Sequence, residues 1–288
     1  MRISVIVSTY NSPDWLGRCL LGYAIQSHRD FEVVVADDGS TADTAILIGR
    51  LRRETRLAIR HVWQEHRGFG KCSILNRAIA AASSDYVLFT DGDCIPRFDF
   101  VEQHVRNAEA GHFLSGGAVR LPMEVSRSIE PEHVLGRQAT DPRWLEAQGF
   151  SSGRRRWTLA AGPRLAWLCD QMTTTRATFN GGNSSVWMAD LVRANGFDER
   201  MGYGGEDREL GDRLCNAGVR GKQIRHRAVC VHLDHARAYI DPEMLERNLA
   251  LRRETLRNRS LRTPYGIRKD FIEFERPQRA AKQAARAA

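Results

Sequence analysis

Val87–Asp93 reads Val-Leu-Phe-Thr-Asp-Gly-Asp, an apolar run that ends in two acidic residues two positions apart. The run has the length and composition of a buried strand. Two carboxylates at the end of such a strand repel each other unless a cation lies between them. Because oxygen ligands suit Mg²⁺ and Mn²⁺, Asp91 and Asp93 are candidates for a metal site. The alternative is a plain turn, since Asp-Gly-Asp also favours turns.

Strand and helix patterns alternate on either side of this segment through the first 120 residues. One predicted helix begins near Ser12 and Pro13, and another covers Lys71–Ala82. The alternation predicts an α/β fold with a mostly parallel sheet covered by helices. Ligands bind at the carboxyl edge of such sheets, so three segments should meet there: 9–11, 37–40 and 91–93. The predicted strands are Ile3–Thr9, Phe31–Ala36, Leu57–Trp63, Asp85–Thr90 and, more weakly, Phe113–Val119.

The pattern changes beyond residue 121. Residues 122–180 are polar and irregular, which predicts a long functional loop or lid. The elements predicted after Asn180 are a short helix at Asp190–Ala194, a helix at Glu206–Ala217, a strand at Ala228–Leu233 and a helix at Pro242–Ser260. We therefore divide one domain into an N-terminal part (1–120), a middle part (121–240) and a helical basic tail (241–288).

The composition is that of a globular protein, with 288 residues, 42% of them hydrophobic and 27% charged. No apolar stretch approaches the roughly 18–20 residues of a membrane-spanning helix, and no signal peptide is recognisable, so a cytoplasmic location is expected. The six cysteines show no CxxC pair and are interpreted as buried free thiols.

The net charge of +8 is concentrated in residues 247–288, which hold twelve basic and four acidic residues. A helix in this part carries arginines beside leucines. The asymmetry favours contact with an anionic surface, here the cytoplasmic face of a membrane. A purely solubilising tail is the alternative.

Two further groups of residues are candidates for catalysis or metal binding. In Gly204–Glu209 a glycine pair precedes acidic residues at a predicted helix start, where an acid can serve as a general base or simply as a cap. His232 and His235 end a predicted strand and can supply a nitrogen ligand to a metal, or be structural.

Two other functional classes stay open at this point. A haloacid-dehalogenase-like phosphatase would use Asp91 as nucleophile, although its motif wants Thr or Val at the position of Ile95. A non-enzymatic protein could bind nucleic acid or membrane through the tail, but it leaves the acidic edge unexplained. A dinucleotide site and a P-loop are excluded, because no GxGxxG follows the first strand and the glycine-lysine pair at 70–71 lacks its partners.

As a set, these residues resemble glycosyltransferase family 2, the nucleotide-sugar-dependent enzymes of GT-A fold. Val5–Asn11 and Val34–Thr41 are similar to its first two strand ends, and Asp91–Asp93 is similar to its DxD motif. The Gly181–Asn183 segment, the Gly204–Asp207 segment and His232 resemble the C-terminal half of galactosyltransferases. The resemblance covers about residues 1–240, with Tyr203 where a Trp is usual.

This resemblance implies a GT-A fold and an inverting, Mn²⁺- or Mg²⁺-dependent transfer from a UDP-sugar to a saccharide or lipid-linked acceptor. Asp207 is implied as the base and Glu206 as a sugar ligand. Asp93 and His232 are implied as metal ligands, with Asp91 binding metal or ribose and His235 as a substitute for His232. Residues 1–120 are implied as the nucleotide-sugar-binding part and residues 121–240 as the acceptor-binding part. Gly182, Asn183 and the 122–180 segment are implied on the acceptor side. The residues implied at the donor are Thr9, Tyr10, Asn11, Asp38, His66, Lys71, Asn76, Asp91, Gly92, Asn183 and Tyr203.

Overall fold

The structure is a computed structural model that describes residues 1–151, 153, 155–236 and 241–267. The side chains of residues 155–157 are not described. Part of the predicted basic tail, residues 268–288, therefore lies outside the described residues.

The N-terminal part alternates strands and helices as the sequence predicts. Its strands are β1 (Ile3–Thr9), β2 (Phe31–Asp37), β3 (Ile59–Trp63), β4 (Tyr86–Asp91), β5 (Cys94–Pro96), β6 (His112–Ser115) and β7 (Gly117–Arg120). Its helices are α1 (Pro13–Ala24), α2 (Ala42–Glu54), α3 (Lys71–Ala81) and α4 (Phe100–Asn107). Ser12 stands at the N-cap of α1, but its side chain makes no capping hydrogen bond.

The remainder is mostly helical. Its helices are α5 (Met123–Ser128), α6 (Pro131–Leu135), α7 (Pro142–Ala147), α8 (Arg155–Ala160), α9 (Pro163–Met172), α10 (Met188–Ala194), α11 (Glu206–Asn216) and α12 (Pro242–Arg257), with a 3₁₀ turn at Gln138–Thr140. Its strands are β8 (Ser184–Trp187), β9 (Arg220–Gln223) and β10 (Val229–His232).

Two sheets organise the described chain. The larger has the strand order β3-β2-β1-β4-β8-β6-β9. Its first four strands run parallel, and β8 is antiparallel to both β4 and β6. The smaller has the order β5-β10-β7. Because β5 directly follows the Asp91–Asp93 turn, this turn links the two sheets.

The central strands β1, β2 and β4 of the larger sheet are buried on both faces, which explains their continuous apolar character. Val5 and Val7 belong to one hydrophobic cluster, whereas Ile6 between them belongs to the other. Both clusters also draw on the C-terminal part, for example on Cys230 in one and Phe197 in the other. Residues 1–120 and residues 121–240 therefore share one core.

The predicted single strand Phe113–Val119 is wrong, because the chain changes sheets at Gly116. A Cβ on Gly116 would lie 2.1 Å from Asn183 Oδ1, and one on Gly117 would lie 2.1 Å from the Arg225 carbonyl oxygen. The backbone packs so closely there that β6 ends in the larger sheet and β7 begins in the smaller one.

The prediction of an irregular loop over 122–180 is also wrong. This segment contains α5–α9 and packs a hydrophobic cluster of its own against β10. The buried side chains include Val125, Ile129, Leu145 and Phe150. The helices are short and their apolar residues are sparse, so periodicity over a long window does not reveal them.

The chain from residue 241 to residue 267 packs on the body. Asn248 and Thr255 of α12 are buried against the α11 region, and Ile267 belongs to the second hydrophobic cluster. Residues 241–267 of the predicted tail are therefore packed on the body of the protein. None of the helices in the described ranges combines the length and the apolar character that a membrane crossing requires.

Candidate active site

The carboxyl ends of β1, β2 and β4 meet at one edge of the larger sheet. Thr9 pairs with Asp37 and Ser8 pairs with Asp91 in the parallel registers. The three segments predicted to share an edge therefore do so. Gly92 closes the edge: its N–H donates to the Ser8 carbonyl at 2.8 Å, and a Cβ there would lie 3.0 Å from that oxygen.

An aromatic pair lies at this edge. The rings of Tyr10 and His66 stack with centroids 4.3 Å apart and an interplanar angle of 12°. Tyr10 is 45% exposed, and His66 is fixed by a 3.0 Å contact between its Nδ1 and the Asp38 carbonyl oxygen. A flat, partly exposed ring surface of this kind suits a nucleobase.

Asp38 and Asn11 order the loops around that pair. Asp38 accepts hydrogen bonds from Gln64 Nε2 at 2.6 Å and from the Gly70 N–H at 2.8 Å, and burial raises the pKa of its carboxyl. Asn11 adopts a positive φ of 43° and its side-chain oxygen accepts from the Thr41 N–H. The side chains of Asp38 and Asn11 thus fix the backbone of the loops at Gly70 and Thr41.

Thr9 differs from these residues. Its hydroxyl is buried and has no hydrogen-bond partner among the described residues. An unpaired buried hydroxyl is costly, so a ligand atom that satisfied it would gain affinity.

Lys71 joins this edge of the larger sheet to the C-terminal part. Its Nζ lies 2.7 Å from Asp91 Oδ1 and 4.0 Å from Glu206 Oε1. Burial opposes its charge, but Asp91 and Glu206 outweigh burial and raise the pKa of Lys71. Burial likewise opposes the ionisation of Asp91, and Lys71 together with the Ser8 hydroxyl holds the pKa of Asp91 below its usual range. Lys71 is therefore a permanent cation between two acids.

A group of metal-ligating atoms lies beside this network. Single ligand atoms of Asp93, Cys94 and His232 all lie within 4.8 Å of one another. His232 Nε2 is 3.7 Å from Asp93 Oδ1, and His235 Nε2 is 3.0 Å from Asp93 Oδ2. Carboxylate and imidazole groups are suitable donors for Mn²⁺ and other divalent transition metals, so the residues present fit such a cation.

Asp91 is not in that group, and its role as a metal ligand stays a prediction. Asp91 Oδ1 accepts from both Lys71 Nζ and Ser8 Oγ, each at 2.7 Å. The repulsion expected between Asp91 and Asp93 is relieved by separate partners. Lys71 pairs with Asp91, and His232 and His235 lie beside Asp93.

The N-terminus of α11 presents Glu206 and Asp207 to the same region. Gly204 and Gly205 have φ of 104° and 87°, a conformation that L-residues with side chains rarely adopt. Glu206 is buried and accepts from the Gly204 N–H at 3.0 Å, and burial raises its pKa. Asp207 Oδ2 accepts from the Gly181 N–H at 3.0 Å, which brings the Gly181–Asn183 segment beside α11. Tyr203 contacts the Phe69 ring edge-on at 5.9 Å.

Two predicted donor residues are structural instead. Asn76 is fully buried, donates to the Phe197 carbonyl and to Glu199, and accepts from the Phe197 N–H. Asn183 is 1% exposed, donates to the Gly117 and Ala228 carbonyls, and has its Oδ1 2.9 Å from His104 Nε2. With their amides committed to the protein, neither is available to a nucleotide or acceptor.

Sequence reasoning missed Ser8, Gln64 and Cys94 at this site. Ser8 is a polar residue at the end of an apolar strand, which is a usable signal. Cys94 directly follows the acidic pair, but its proximity to His232 depends on the β5–β10 pairing, which the sequence does not reveal.

Comparison with known proteins gives a consistent result. The family model described as glycosyl transferase family 2 matches residues 4–159, and the model described as N-terminal domain of galactosyltransferase matches residues 171–236. Validoxylamine A glucosyltransferase of Streptomyces hygroscopicus subsp. jinggangensis (strain 5008) is 32% identical over 231 residues, which are 75% of this chain and 52% of the relative. This chain thus spans about half the length of that relative.

Solved structures share the fold. The mannosyltransferase PcManGT from Pyrobaculum calidifontis, in complex with GDP-Man and Mn²⁺, has a TM-score of 0.56 and 24% identity, covering 82% of this chain and 58% of that chain. S. aureus TarS 1–349 in complex with UDP-GlcNAc has a TM-score of 0.60 and 20% identity, covering 88% and 65%. The predicted GT-A type sheet flanked by helices is confirmed.

Proposed function

The chain belongs to glycosyltransferase family 2, and from this premise we propose that it is an inverting, metal-dependent transferase. It moves a sugar from a UDP-sugar to a hydroxyl group of a saccharide or lipid-linked saccharide. The sugar transfer would take place at the cytoplasmic side of a membrane, in the biosynthesis of a surface polysaccharide or glycolipid.

The observation that carries the proposal is the position of Lys71 between Asp91 and Glu206. Asp91 ends β4 at the sheet edge that we propose binds the donor, whereas Glu206 begins α11 in the part that we propose binds the acceptor. A donor bound along that edge would present its sugar to the start of α11, where Asp207 is held by the Gly181 N–H. The Mn²⁺ complex of PcManGT and the UDP-GlcNAc complex of TarS support a metal-assisted nucleotide-sugar reaction.

The donor side follows from the site geometry. The stacked rings of Tyr10 and His66 receive the uracil, and the Thr9 hydroxyl and Asp38 lie beside the nucleoside. Asp93 and His232 would hold a divalent cation, which would neutralise the charge that develops on the departing diphosphate. Lys71, fixed by Asp91, adds a positive charge to the same region.

Asp207 acts as the general base. Its carboxylate lies at the N-terminus of α11, where the helix macrodipole stabilises negative charge. It takes the proton from the acceptor hydroxyl, whose oxygen bonds to the anomeric carbon while the bond from that carbon to the diphosphate oxygen breaks. One displacement of this kind inverts the configuration. Glu206 binds the sugar, and Gly182 with α5–α9 forms the acceptor side.

The test is release of nucleotide by the full chain from a panel of UDP- and GDP-sugars with Mn²⁺, with and without saccharide acceptors. We expect acceptor-dependent release of UDP, an inverted anomeric centre by NMR, and loss of turnover in EDTA that Mn²⁺ restores. Asp207→Asn should lower the rate by ~10²–10⁴-fold, typical for a lost general base, with donor affinity nearly unchanged. Asp85→Asn, at the opposite end of β4, is the matched control.

Three results would contradict the proposal. Release from no nucleotide-sugar removes the assigned activity, and release from GDP-sugars alone removes the UDP assignment. A phosphorylated Asp91 intermediate would favour the phosphatase alternative. A collapse of donor affinity in Asp207→Asn would make Asp207 structural and leave Glu206 as the candidate base.

A further inference from the structure

We propose that Cys94 is a third protein ligand of the divalent cation held by Asp93 and His232. The centre then prefers thiophilic cations such as Co²⁺ and Zn²⁺ to Mg²⁺. This inference rests on the cation site of the proposed function and deepens it by naming the class of metal.

The position of Cys94 comes from strand pairing. Cys94 begins β5, and in the antiparallel register with β10 it lies directly opposite His232. Side chains of directly opposed residues project from the same face of a sheet, with their Cβ atoms about 4.5–5.5 Å apart. The small sheet therefore brings the thiol and the imidazole together on one face, next to the Asp93 carboxylate that precedes the strand.

The separations match those of a common metal ion. For zinc, bonds of about 2.3 Å to sulfur and about 2.0–2.2 Å to nitrogen or oxygen in tetrahedral geometry put sulfur and oxygen about 3.5 Å apart, and nitrogen and oxygen about 3.3 Å apart. Cys94 Sγ lies 3.5 Å from Asp93 Oδ1, and His232 Nε2 lies 3.7 Å from the same oxygen. The ligand atoms of all three residues lie within 4.8 Å of one another, so a cation would complete the set by drawing the thiol and the imidazole together.

The Cys94 sulfur also faces the reaction region. A Cβ on Gly182 would lie 3.9 Å from Cys94 Sγ and 3.1 Å from Asp91 Oδ2. The thiol thus lies beneath Gly182 and beside Asp91, although only 1% of Cys94 is exposed. A cation would approach from the side of Asp93, which is more exposed than the thiol.

Coordination forms a metal–sulfur bond and releases the thiol proton to solvent, with no change of oxidation state. Thiolate is a soft ligand that favours Zn²⁺ and related ions, whereas Mg²⁺ prefers oxygen and keeps its waters. A centre of one carboxylate, one imidazole and one thiolate therefore ranks cations in a different order from a centre built of carboxylates.

The experiment is titration of the metal-free full chain with Co²⁺, followed by absorption. We expect visible d–d bands together with a near-ultraviolet thiolate-to-cobalt charge-transfer band. Cys94→Ser should lose the charge-transfer band, keep d–d bands and bind Co²⁺ about 10–100-fold more weakly, with Mg²⁺ affinity unchanged. Cys215→Ala is the control, because that free thiol is exposed on α11 and is not part of the small sheet.

A measurement on the unaltered chain covers the case in which Cys94→Ser fails to fold. X-ray absorption of the Zn²⁺ form should show one sulfur at about 2.3 Å from the metal. Cobalt bands without a charge-transfer component, a charge-transfer band that persists in Cys94→Ser, or a zinc spectrum without sulfur would each overturn the thiolate ligand and leave the Asp93–His232 site standing. No binding of any divalent cation would overturn the cation site as well.

Discussion

At the residue scale, buried polar side chains with complete hydrogen bonding hold the two sheets together behind the active site. His104 lies fully buried with its Nδ1 2.7 Å from Ser185 Oγ and its Nε2 2.9 Å from Asn183 Oδ1. Asn183 donates its amide N–H groups to Gly117 and Ala228 carbonyls, so its oxygen faces the imidazole. Nε2 therefore carries a proton, and burial favours the neutral imidazole.

His104 should make the protein sensitive to acid. Burial lowers the pKa of His104 to about 4, from 6.5 for an ordinary histidine. Below pH 6.5 the imidazole of His104 becomes protonated in the unfolded chain but stays neutral in the folded chain. The free energy of unfolding therefore decreases as the pH falls from 6.5 toward 4. The loss is on the order of 3 kcal/mol, at 1.36 kcal/mol per pKa unit. Urea unfolding between pH 4 and 8 measures it.

The variant pair for this measurement is His104→Gln and His28→Gln. The first removes the buried imidazole and should flatten the pH dependence between 4 and 6.5, at a cost in stability at neutral pH. The second changes a histidine near the surface that contacts the Met1 and Asp30 carbonyls and should leave the profile as it is. An unchanged profile in His104→Gln would assign the acid sensitivity to other groups.

At the scale of elements, α12 fixes the loop that precedes α11. Asn248 Nδ2 lies 3.2, 3.0 and 3.1 Å from the carbonyl oxygens of Gly202, Tyr203 and Gly204. Thr255 and Arg252 of the same helix bond to Glu209 and Asp212 of α11. Because Glu206 and Asp207 follow this loop directly, α12 determines where both carboxylates lie.

Removal of the Asn248 amide should therefore affect rate as well as stability. Asn248→Ala leaves three loop carbonyls without this donor and should cost about 1–3 kcal/mol of stability. We expect a fall in turnover with little change in nucleotide affinity, since the nucleotide edge is formed by other elements. Arg253→Ala, on the exposed side of the same helix, is the control. A lower melting temperature with unaltered turnover would show that the loop position does not limit the reaction.

At the scale of the whole molecule, the charge is unevenly distributed. Residues 247–288 carry the equivalent of the entire net charge of +8, and half of their basic residues lie in the described part up to 267. Arg253, Arg257 and Arg259 are exposed there, near Leu249 and Leu256, each 48% exposed. The hypothesis of contact with an anionic membrane face therefore concerns this surface of α12 together with residues 268–288.

Co-sedimentation with anionic liposomes tests that hypothesis. The truncated form must end after Ile267 and not after Arg259, because Thr263 donates to Asp198 and Ile267 is buried in the core. Each basic residue near an anionic surface contributes about 1 kcal/mol, so the full chain should bind more tightly than the truncated form. Binding should disappear at 1 M salt, where the Debye length is about 3 Å. Equal binding by both forms, or none at low salt, would contradict a role for 268–288.

Much of the fold and part of the site are predictable from the sequence. Apolar runs mark β1, β2 and β4, and the polar residues that follow them meet at one edge because parallel strands place their carboxyl ends together. The Gly204–Asp207 segment is recognisable as a helix start with acids in the first turn. These features depend on period, composition and local backbone preference, which are properties of short stretches.

The tertiary structure alone decides what each polar side chain meets. Lys71 could have served a phosphate or a carboxylate. Only the packing of α3 on the larger sheet brings Lys71, its first residue, to Asp91 and Glu206. Asn183 resembles a site residue by motif, but it joins the two sheets where Gly116 divides the predicted strand. Cys94 meets His232 only through the β5–β10 register. Such partners are far apart in the chain, and the burial of the shared core, which no short stretch encodes, selects among them.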